Sequence, residues 1–214
     1  MRDILTRGLA QLGLPADAVP QLEAYAALLL EKNKVMNLTA ITAPQEVATL
    51  HLLDCAALLT MADLRGKRVI DVGTGAGFPG MVLRILEPDF DLTLLDSLGK
   101  RVNWLKEILP QLGVSAQCVT ARAEEAVADR RESYDYAVSR AVARLNILLE
   151  LLAPYVKVGG AVVAMKGSAA KEELAECAGA MKKLGLQQEA FLEFPVDGAS
   201  HAVIILRKVA PTPE

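Results

Sequence analysis

Aromatic residues are scarce, at 4% of 214 positions. That argues against a stacking platform of the kind that holds single-stranded nucleic acid without sequence preference. Cysteine is scarcer. Cys55, Cys118 and Cys177 are odd in number and far apart. They form neither a disulfide framework nor a metal-binding spacing, so no metal is expected, and a reducing cytoplasm is the expected home. No apolar run approaches the ~18 residues of a membrane span. The opening segment from Met1 to Arg7 also lacks the long apolar core of a signal peptide. A soluble protein with no membrane partner is expected. Neither sign of charge dominates: 23 Lys and Arg against 26 Asp and Glu give a net charge of −3. This does not favour a general nucleic-acid coat but permits a local basic patch. There is no internal repeat or low-complexity tract.

What is present suits a packed core, with 52% hydrophobic and 23% charged residues. The length allows one large α/β domain plus a small appendage. Residues 1–64 read as a helical cap. Leu22, Tyr25, Leu29 and Lys32 mark one periodic segment that ends near Asn33. Thr42-Ala43-Pro44-Gln45 has the form of a capping box, with Thr42 as N-cap, opening a helix to about Met61. From Val69 strand-like and helix-like segments alternate. Strands are expected at 69–72, 91–95, 114–119, 135–139, 160–165 and 202–207, with a weaker one near 189–194. Helices are expected at 79–87, 99–109, 123–129, 144–156 and 170–184. This alternation predicts βαβ units and a mostly parallel, Rossmann-like sheet over 65–209. The turn chemistry of Phe194-Pro195-Val196-Asp197-Gly198 makes the last two strands an antiparallel hairpin. Residues 210–214 read as a flexible tail.

The most informative stretch is Val69-Ile70-Asp71-Val72-Gly73-Thr74-Gly75-Ala76-Gly77-Phe78-Pro79-Gly80. A β-branched run ends in an acid and breaks into a glycine-rich turn, and a second strand ends in Asp96. Glycines let a backbone approach a ligand closely, and carboxylates at strand ends bind its polar groups. Gly75, Gly77 and Gly80 satisfy the dinucleotide pattern, with Asp96 roughly at its acidic position. Asp71 argues against a pyrophosphate, which a carboxylate at that strand end would repel. S-adenosylmethionine carries a sulfonium and an ammonium, which a carboxylate favours. Asp96 would then accept from the ribose hydroxyls, and the loop's amides would bind the methionine carboxylate. Phe78 is a candidate contact. Ala123 and Glu124, after the third strand, are candidates for the adenine.

The acceptor is constrained by further absences. No Asn/Asp-Pro-Pro-aromatic run follows the fourth strand, as it commonly does in enzymes that methylate exocyclic amines. No cysteine follows a proline to attack a pyrimidine. Instead Ser139-Arg140 ends that strand, where a guanidinium could hold a phosphate, a base edge or the cofactor carboxylate. A salt bridge to Asp135 is the structural alternative. His51 and Asp54, at i and i+3, are expected to pair directly and anchor the cap. Asn37 is expected to order its loop, and His201 to be structural.

Asn37-Leu38-Thr39, His51-Leu52-Leu53-Asp54, the glycine loop, Leu94-Leu95-Asp96-Ser97 with Lys100-Arg101, Ser139-Arg140-Ala141 and Lys166-Gly167 occur in that order. Together they resemble the bacterial 16S rRNA (guanine-N7) methyltransferases, historically called glucose-inhibited division protein B. Ala76 and Phe78 stand where some relatives carry proline and leucine. The resemblance covers nearly the whole chain. It implies a Rossmann-like class I S-adenosylmethionine-dependent methyltransferase that modifies N7 of one guanine in the small subunit or its assembly intermediate, and a monomer is expected. Gly73, Phe78, Ala123, Glu124 and Arg140 would touch the cofactor. Asp71, Gly75, Gly77 and Asp96 join them on the reading above.

No acid–base pair is assigned as catalytic, and Arg140 is the one candidate. N7 has a free lone pair and no proton to lose, so alignment for in-line displacement suffices. Lys100, Arg101, Arg144 and Lys166 flank the strand ends and are candidates for a rim that binds RNA phosphates. Three other readings stay open: a small-molecule or protein acceptor on the same fold, an NAD-dependent oxidoreductase, and a non-catalytic RNA-binding factor.

Overall fold

The structure, a computed structural model, describes residues 1–140, 142–196 and 198–213. Ala141 of the Ser139-Arg140-Ala141 motif, Asp197 of the expected turn and Glu214 of the expected tail lie outside the described residues.

Helices α1 (Arg2–Gln11) and α2 (Val19–Met36) form the start of the chain. Each buries one apolar stripe: Leu5 and Leu9 in α1, and Leu22, Tyr25, Ala26 and Leu29 in α2. α2 outruns its expected stop near Asn33 and ends where Asn37 takes a left-handed φ of 49°. Asn33 orders the following loop in place of Asn37. Its Oδ1 accepts from the amides of Leu38 and Thr39, and its Nδ2 donates to the Thr39 carbonyl.

The next helix begins one residue later than the capping box predicted. Pro44, preorganised for the first helical position, makes Ala43 the N-cap, and the Thr42 hydroxyl does not cap. α3 (Pro44–Glu46), a π-helical stretch at Val47–Leu53, α4 (Asp54–Ala56) and a 3-10 turn at Ala57–Thr60 run on as one helical segment.

Seven strands follow: β1 (Arg68–Val72), β2 (Asp91–Asp96), β3 (Gln117–Thr120), β4 (Tyr134–Arg140), β5 (Val156–Lys166), β6 (Leu186–Val196) and β7 (Ala199–Lys208). Their order in the sheet is β3-β2-β1-β4-β5-β7-β6. β1 to β5 pair in parallel, while β7 runs antiparallel to both β5 and β6. The hairpin is as expected, and its placement is the new finding: β7 inserts between β5 and β6. Composition explains this. β7 carries Ala202-Val203-Ile204-Ile205-Leu206, buried throughout, whereas β6 carries the exposed Gln187, Gln188 and Glu189 suited to an edge.

Between the strands lie α5 (Gly80–Leu86), α6 (Gly99–Ile108), α7 (Ala123–Ala126), α8 (Leu145–Leu152), α9 (Ala170–Glu176) and α10 (Ala178–Leu184). The helix expected over 170–184 is thus two, broken at Cys177. The strand expected at 114–119 starts later, because the Val114 amide closes the turn after α6 on the Leu109 carbonyl.

One face of the sheet joins α1, α2 and the 44–60 segment in a single apolar core with Val69, Met81, Leu94 and Val163. The other face packs on α8 through Leu145, Leu148, Leu149 and Leu152. Of the expected tail, Thr212 and Pro213 are tied down rather than loose. Buried Thr212 donates its amide to Glu132 and receives Lys208 Nζ on its hydroxyl at 2.5 Å, and Arg131 binds the Thr212 and Pro213 carbonyls. Among the described residues no helix is long and apolar enough to cross a membrane.

Candidate active site

The site is built where β1 passes through its glycine loop into α5. The loop is a closed hydrogen-bonding system. The amides of Gly73 and Thr74 donate to the Leu95 carbonyl, and those of Gly77 and Phe78 donate to the Thr74 carbonyl. The Gly75 amide donates to Asp96 Oδ2 at 2.9 Å, and the Gly80 amide to Asp71 Oδ2 at 2.8 Å. Almost every amide that could cradle an anion is therefore spent inside the protein, and the expected binding of a methionine carboxylate by these amides is corrected.

Asp71 also departs from expectation. It is fully buried and does not face the cleft. Its Oδ2 accepts from the Thr74 hydroxyl at 2.6 Å as well as from Gly80, while Oδ1 has no partner. The carboxylate turns under the loop because the first amides of α5 are the nearest unpaired donors. Burial pushes its pKa up to about 7, against the pull of Thr74, Gly80 and Arg140. Gly77 likewise sits beneath the loop, against Met81 and Tyr25.

The other cofactor candidates do converge. Gly73, Gly75, Phe78, Asp96, Ala123, Glu124 and Arg140 line one cleft of about 540 Å³ at the carboxyl ends of the strands. Gly73 (φ 73°) and Gly75 (φ 58°) need glycine for their backbone, and a Cβ on Gly73 would come within 2.5 Å of Val142 Cγ2. Asp96 spends one bond from each oxygen on the protein, to Gly75 and Leu98, and keeps lone pairs for a ligand. Glu124 is exposed, 3.7 Å from Arg122, and the Ala123 carbonyl accepts from the Tyr155 hydroxyl.

Phe78 forms the floor of the far wall. The His51 ring stacks on it at 4.6 Å, and the Arg140 guanidinium lies 4.7 Å above it. Arg140 does not pair with Asp135, which binds Lys157 instead. It reaches back to the helical segment, donating to the Leu50 carbonyl, to Asp54 Oδ2 at 3.3 Å and to His51 Nδ1 at 2.9 Å. A guanidinium only donates, so His51 Nδ1 accepts, and Nε2–H donates to the Thr39 hydroxyl at 2.7 Å. Burial and the neighbouring Arg140 charge lower the His51 pKa to about 4, so the ring is neutral at neutral pH.

The expected His51–Asp54 pair does not form, because the π-helical turn changes which side chains face each other. Asp54 binds Arg140 on one oxygen and His201 Nδ1, at 2.8 Å, on the other.

A second cavity, of about 740 Å³, adjoins the first and shares His51, Arg140 and Val142 with it. The four basic candidates divide between the two. Arg101 lines the cofactor cleft, 3.8 Å from Asp96. Arg144 and Lys166 line the second cavity, paired with Glu176 and Glu173. Lys100 is exposed and lines neither. They split because Lys100 and Arg101 follow β2 whereas Arg144 and Lys166 follow β4 and β5, on opposite sides of β1. Lys166, 9% exposed and held also by the Ala143 carbonyl, is a buried ion-pair partner and no free rim charge. Thr39, Val142 and His201 were not foreseen as cavity residues. Only the Asn37-Leu38-Thr39 motif carried any signal for the first.

Residues 18–201 match the family model described as rRNA small subunit methyltransferase G. The chain is 43% identical to ribosomal RNA small subunit methyltransferase G of Alkaliphilus metalliredigens, over 98% of this chain and 91% of that protein. It is also 43% identical to the protein of that name from Symbiobacterium thermophilum, over 100% and 92%. Among solved structures, a SAM-dependent methyltransferase from Aquifex aeolicus superposes with a TM-score of 0.59 at 17% identity, covering 79% of this chain and 96% of that one. M. jannaschii TYW2 in complex with AdoMet gives 0.60 at 11% identity, covering 73% and 75%.

Proposed function

The chain belongs to the rRNA small subunit methyltransferase G family, and from that premise we propose that it transfers a methyl group from S-adenosylmethionine to N7 of one guanine in 16S rRNA. The observation that carries this reading is the glycine loop. Six of its amides are consumed by Leu95, Thr74, Asp96 and Asp71, which leaves only that of Ala76 and no nest of successive donors for a pyrophosphate. The Asp96 carboxylate beside it keeps lone pairs suited to a ribose diol. A nucleoside without phosphates fits this donor set, and a dinucleotide does not.

In this reading Asp96 holds the ribose, and Ala123 and Glu124 meet the adenine. Gly73, Gly75 and Phe78 form the walls, and Arg140 offers a hydrogen to the methionine carboxylate. Asp71 and Gly77 act from beneath by fixing the loop. When bound, S-adenosylmethionine supplies a methyl group on a positively charged sulfur. The chain's task is then alignment and exclusion of water, and positioning of this kind is worth ~7–11 kcal/mol. N7 has no proton to lose, so no side chain need act as a base. Neutral His51 and the Arg140–Asp54 pair leave the wall near charge balance, which suits a product base that becomes cationic.

Residues 1–64 serve as a cap over the catalytic unit of residues 65–209. The protein acts as a cytoplasmic monomer on the small subunit or its assembly intermediate, with Lys100 and Arg101 supplying phosphate contacts. The test is transfer of tritiated methyl onto unmodified small-subunit particles, followed by digestion to nucleosides. Label in 7-methylguanosine is expected. Label in another nucleoside, or binding of NAD in preference to S-adenosylhomocysteine, would overturn the reading.

A further inference from the structure

The second cavity has no assigned occupant, and its wall carries an unusual arrangement. Asp54, 3% exposed, divides its carboxylate between two partners: Oδ2 accepts from Arg140 Nη1, and Oδ1 accepts from His201 Nδ1. A carboxylate only accepts, so Nδ1 of His201 carries a hydrogen; in the Nδ1–H tautomer Nε2 is an acceptor. No described residue bonds to that Nε2. Arg140 spends both Nη1 hydrogens and one Nη2 hydrogen on Leu50, Asp54 and His51, which leaves one on Nη2 and one on Nε. One buried carboxylate thus holds both a hydrogen-bond donor and a hydrogen-bond acceptor. Both line the second cavity, and Arg140 borders the cofactor cleft as well.

We propose that this cavity receives the target base, and that Arg140 and His201, both held by Asp54, read the O6 and N1–H edge of guanine. The inference rests on the methyl-transfer reading above. Guanine presents an acceptor at O6 next to a donor at N1–H, which complements an Arg140 hydrogen and His201 Nε2. Adenine presents the reverse, a donor at N6 beside an acceptor at N1, so both contacts fail. N7 adjoins O6 on the side away from N1. With O6 on Arg140, which borders both cavities, N7 turns toward the cofactor cleft. The edge read does not include the 2-amino group.

The test measures methyl transfer to small-subunit particles reconstituted with guanosine, inosine or adenosine at the methylated position. Binding of S-adenosylhomocysteine is followed by calorimetry in parallel. Inosine keeps O6 and N1–H, so its kcat/KM is expected within about threefold of guanosine, because no group of the site loses its partner. Adenosine is expected to be at least about a hundredfold slower. His201→Phe should lower kcat/KM on guanosine particles about ten- to a hundredfold, with cofactor affinity kept, and His201→Gln should restore part of it. Gly167→Phe should block transfer by filling the cavity. A Cβ there meets only the Ser200 carbonyl, at 4.0 Å, so the position has room for a side chain to start into the cavity.

Inosine rejected as strongly as adenosine, or wild-type kcat/KM in His201→Phe, would overturn the proposal while leaving the methyl-transfer reading intact. No transfer to guanosine particles by the unmutated protein would overturn both. If His201→Phe lost cofactor binding as well, the three-base comparison, made with the unmutated protein, decides alone.

Discussion

The Tyr25 hydroxyl lies 2.7 Å from the point where a Cβ on Gly77 would stand, and it donates to the neighbouring Ala76 carbonyl at 2.5 Å. Through this contact α2 grips the glycine loop from below. Burial drives the Tyr25 pKa well above its usual value, so the phenol keeps its hydrogen and the bond persists at any pH the fold meets.

Gly77→Ala should therefore unfold the protein more easily and loosen the loop. The new methyl would meet the Tyr25 hydroxyl and Met81 Cγ at 2.6 Å, at a φ of 99° that L-residues avoid. Overpacking and left-handed strain together predict a loss of about 2–4 kcal/mol. Urea denaturation of the two proteins measures it, and an unchanged midpoint would contradict the clamp.

Asp71 should make the protein less stable as the solution is brought from acid to neutral. Its folded pKa of about 7 lies above the unfolded value of 3.8, so between those pH values the folded state holds a proton that the unfolded state has released. Stability contributed below pH 3.8 is lost as pH rises to 7, by on the order of 4 kcal/mol. Asp71→Asn, which keeps an acceptor for Gly80 and Thr74, should remove that slope. His51 acts in the opposite sense over much of the same range. Its folded pKa of about 4 adds stability above pH 6.5 that fades on acidification. Chemical denaturation of the unmutated protein and of Asp71→Asn across pH 4–8 separates the two, since the slope left in the variant is that of His51.

Asp96→Ala should weaken S-adenosylhomocysteine binding about ten- to a hundredfold, since it removes hydrogen bonds to a charged acceptor. It also frees the Gly75 and Leu98 amides. Calorimetric affinity equal to that of the unmutated protein would exclude Asp96 from the ribose contact.

Lys100→Glu should lower affinity for small-subunit particles and flatten its dependence on salt by about one counterion, for the phosphate contact removed. Cofactor affinity should stay unchanged, because Lys100 does not line the cleft. Equal losses in both would show that Lys100 acts on the fold and not on RNA.

The cleft around the glycine loop was largely legible in the sequence because its signals are local. A glycine that needs a positive φ and an acid at a strand end declare themselves within a few residues, and Gly73, Gly75 and Asp96 stand in the cleft as expected. Asp71 was misjudged because its position on the strand is visible in sequence but the turn of its carboxylate under the loop is not. His51 and Asp54 were paired by helical spacing, which the π-helical turn breaks. Their true partners, Arg140 and His201, lie 86 to 147 positions away along the chain, and no periodicity carries such a contact. The same limit hid the insertion of β7 between β5 and β6. Alternation predicts which segments are strands, whereas their order follows from which of them can be buried on both faces.

That insertion bears on when the enzyme can begin to work. β7 is translated after the other six strands, yet it fills an interior slot, and it carries the histidine that Asp54 awaits. A nascent chain halted before Ala199 would have a cofactor cleft but an open seam beside β5 and an undressed second chamber. The second chamber is thus finished by the last strand of the sheet to be made, even though that strand lies inside the sheet and not at its edge.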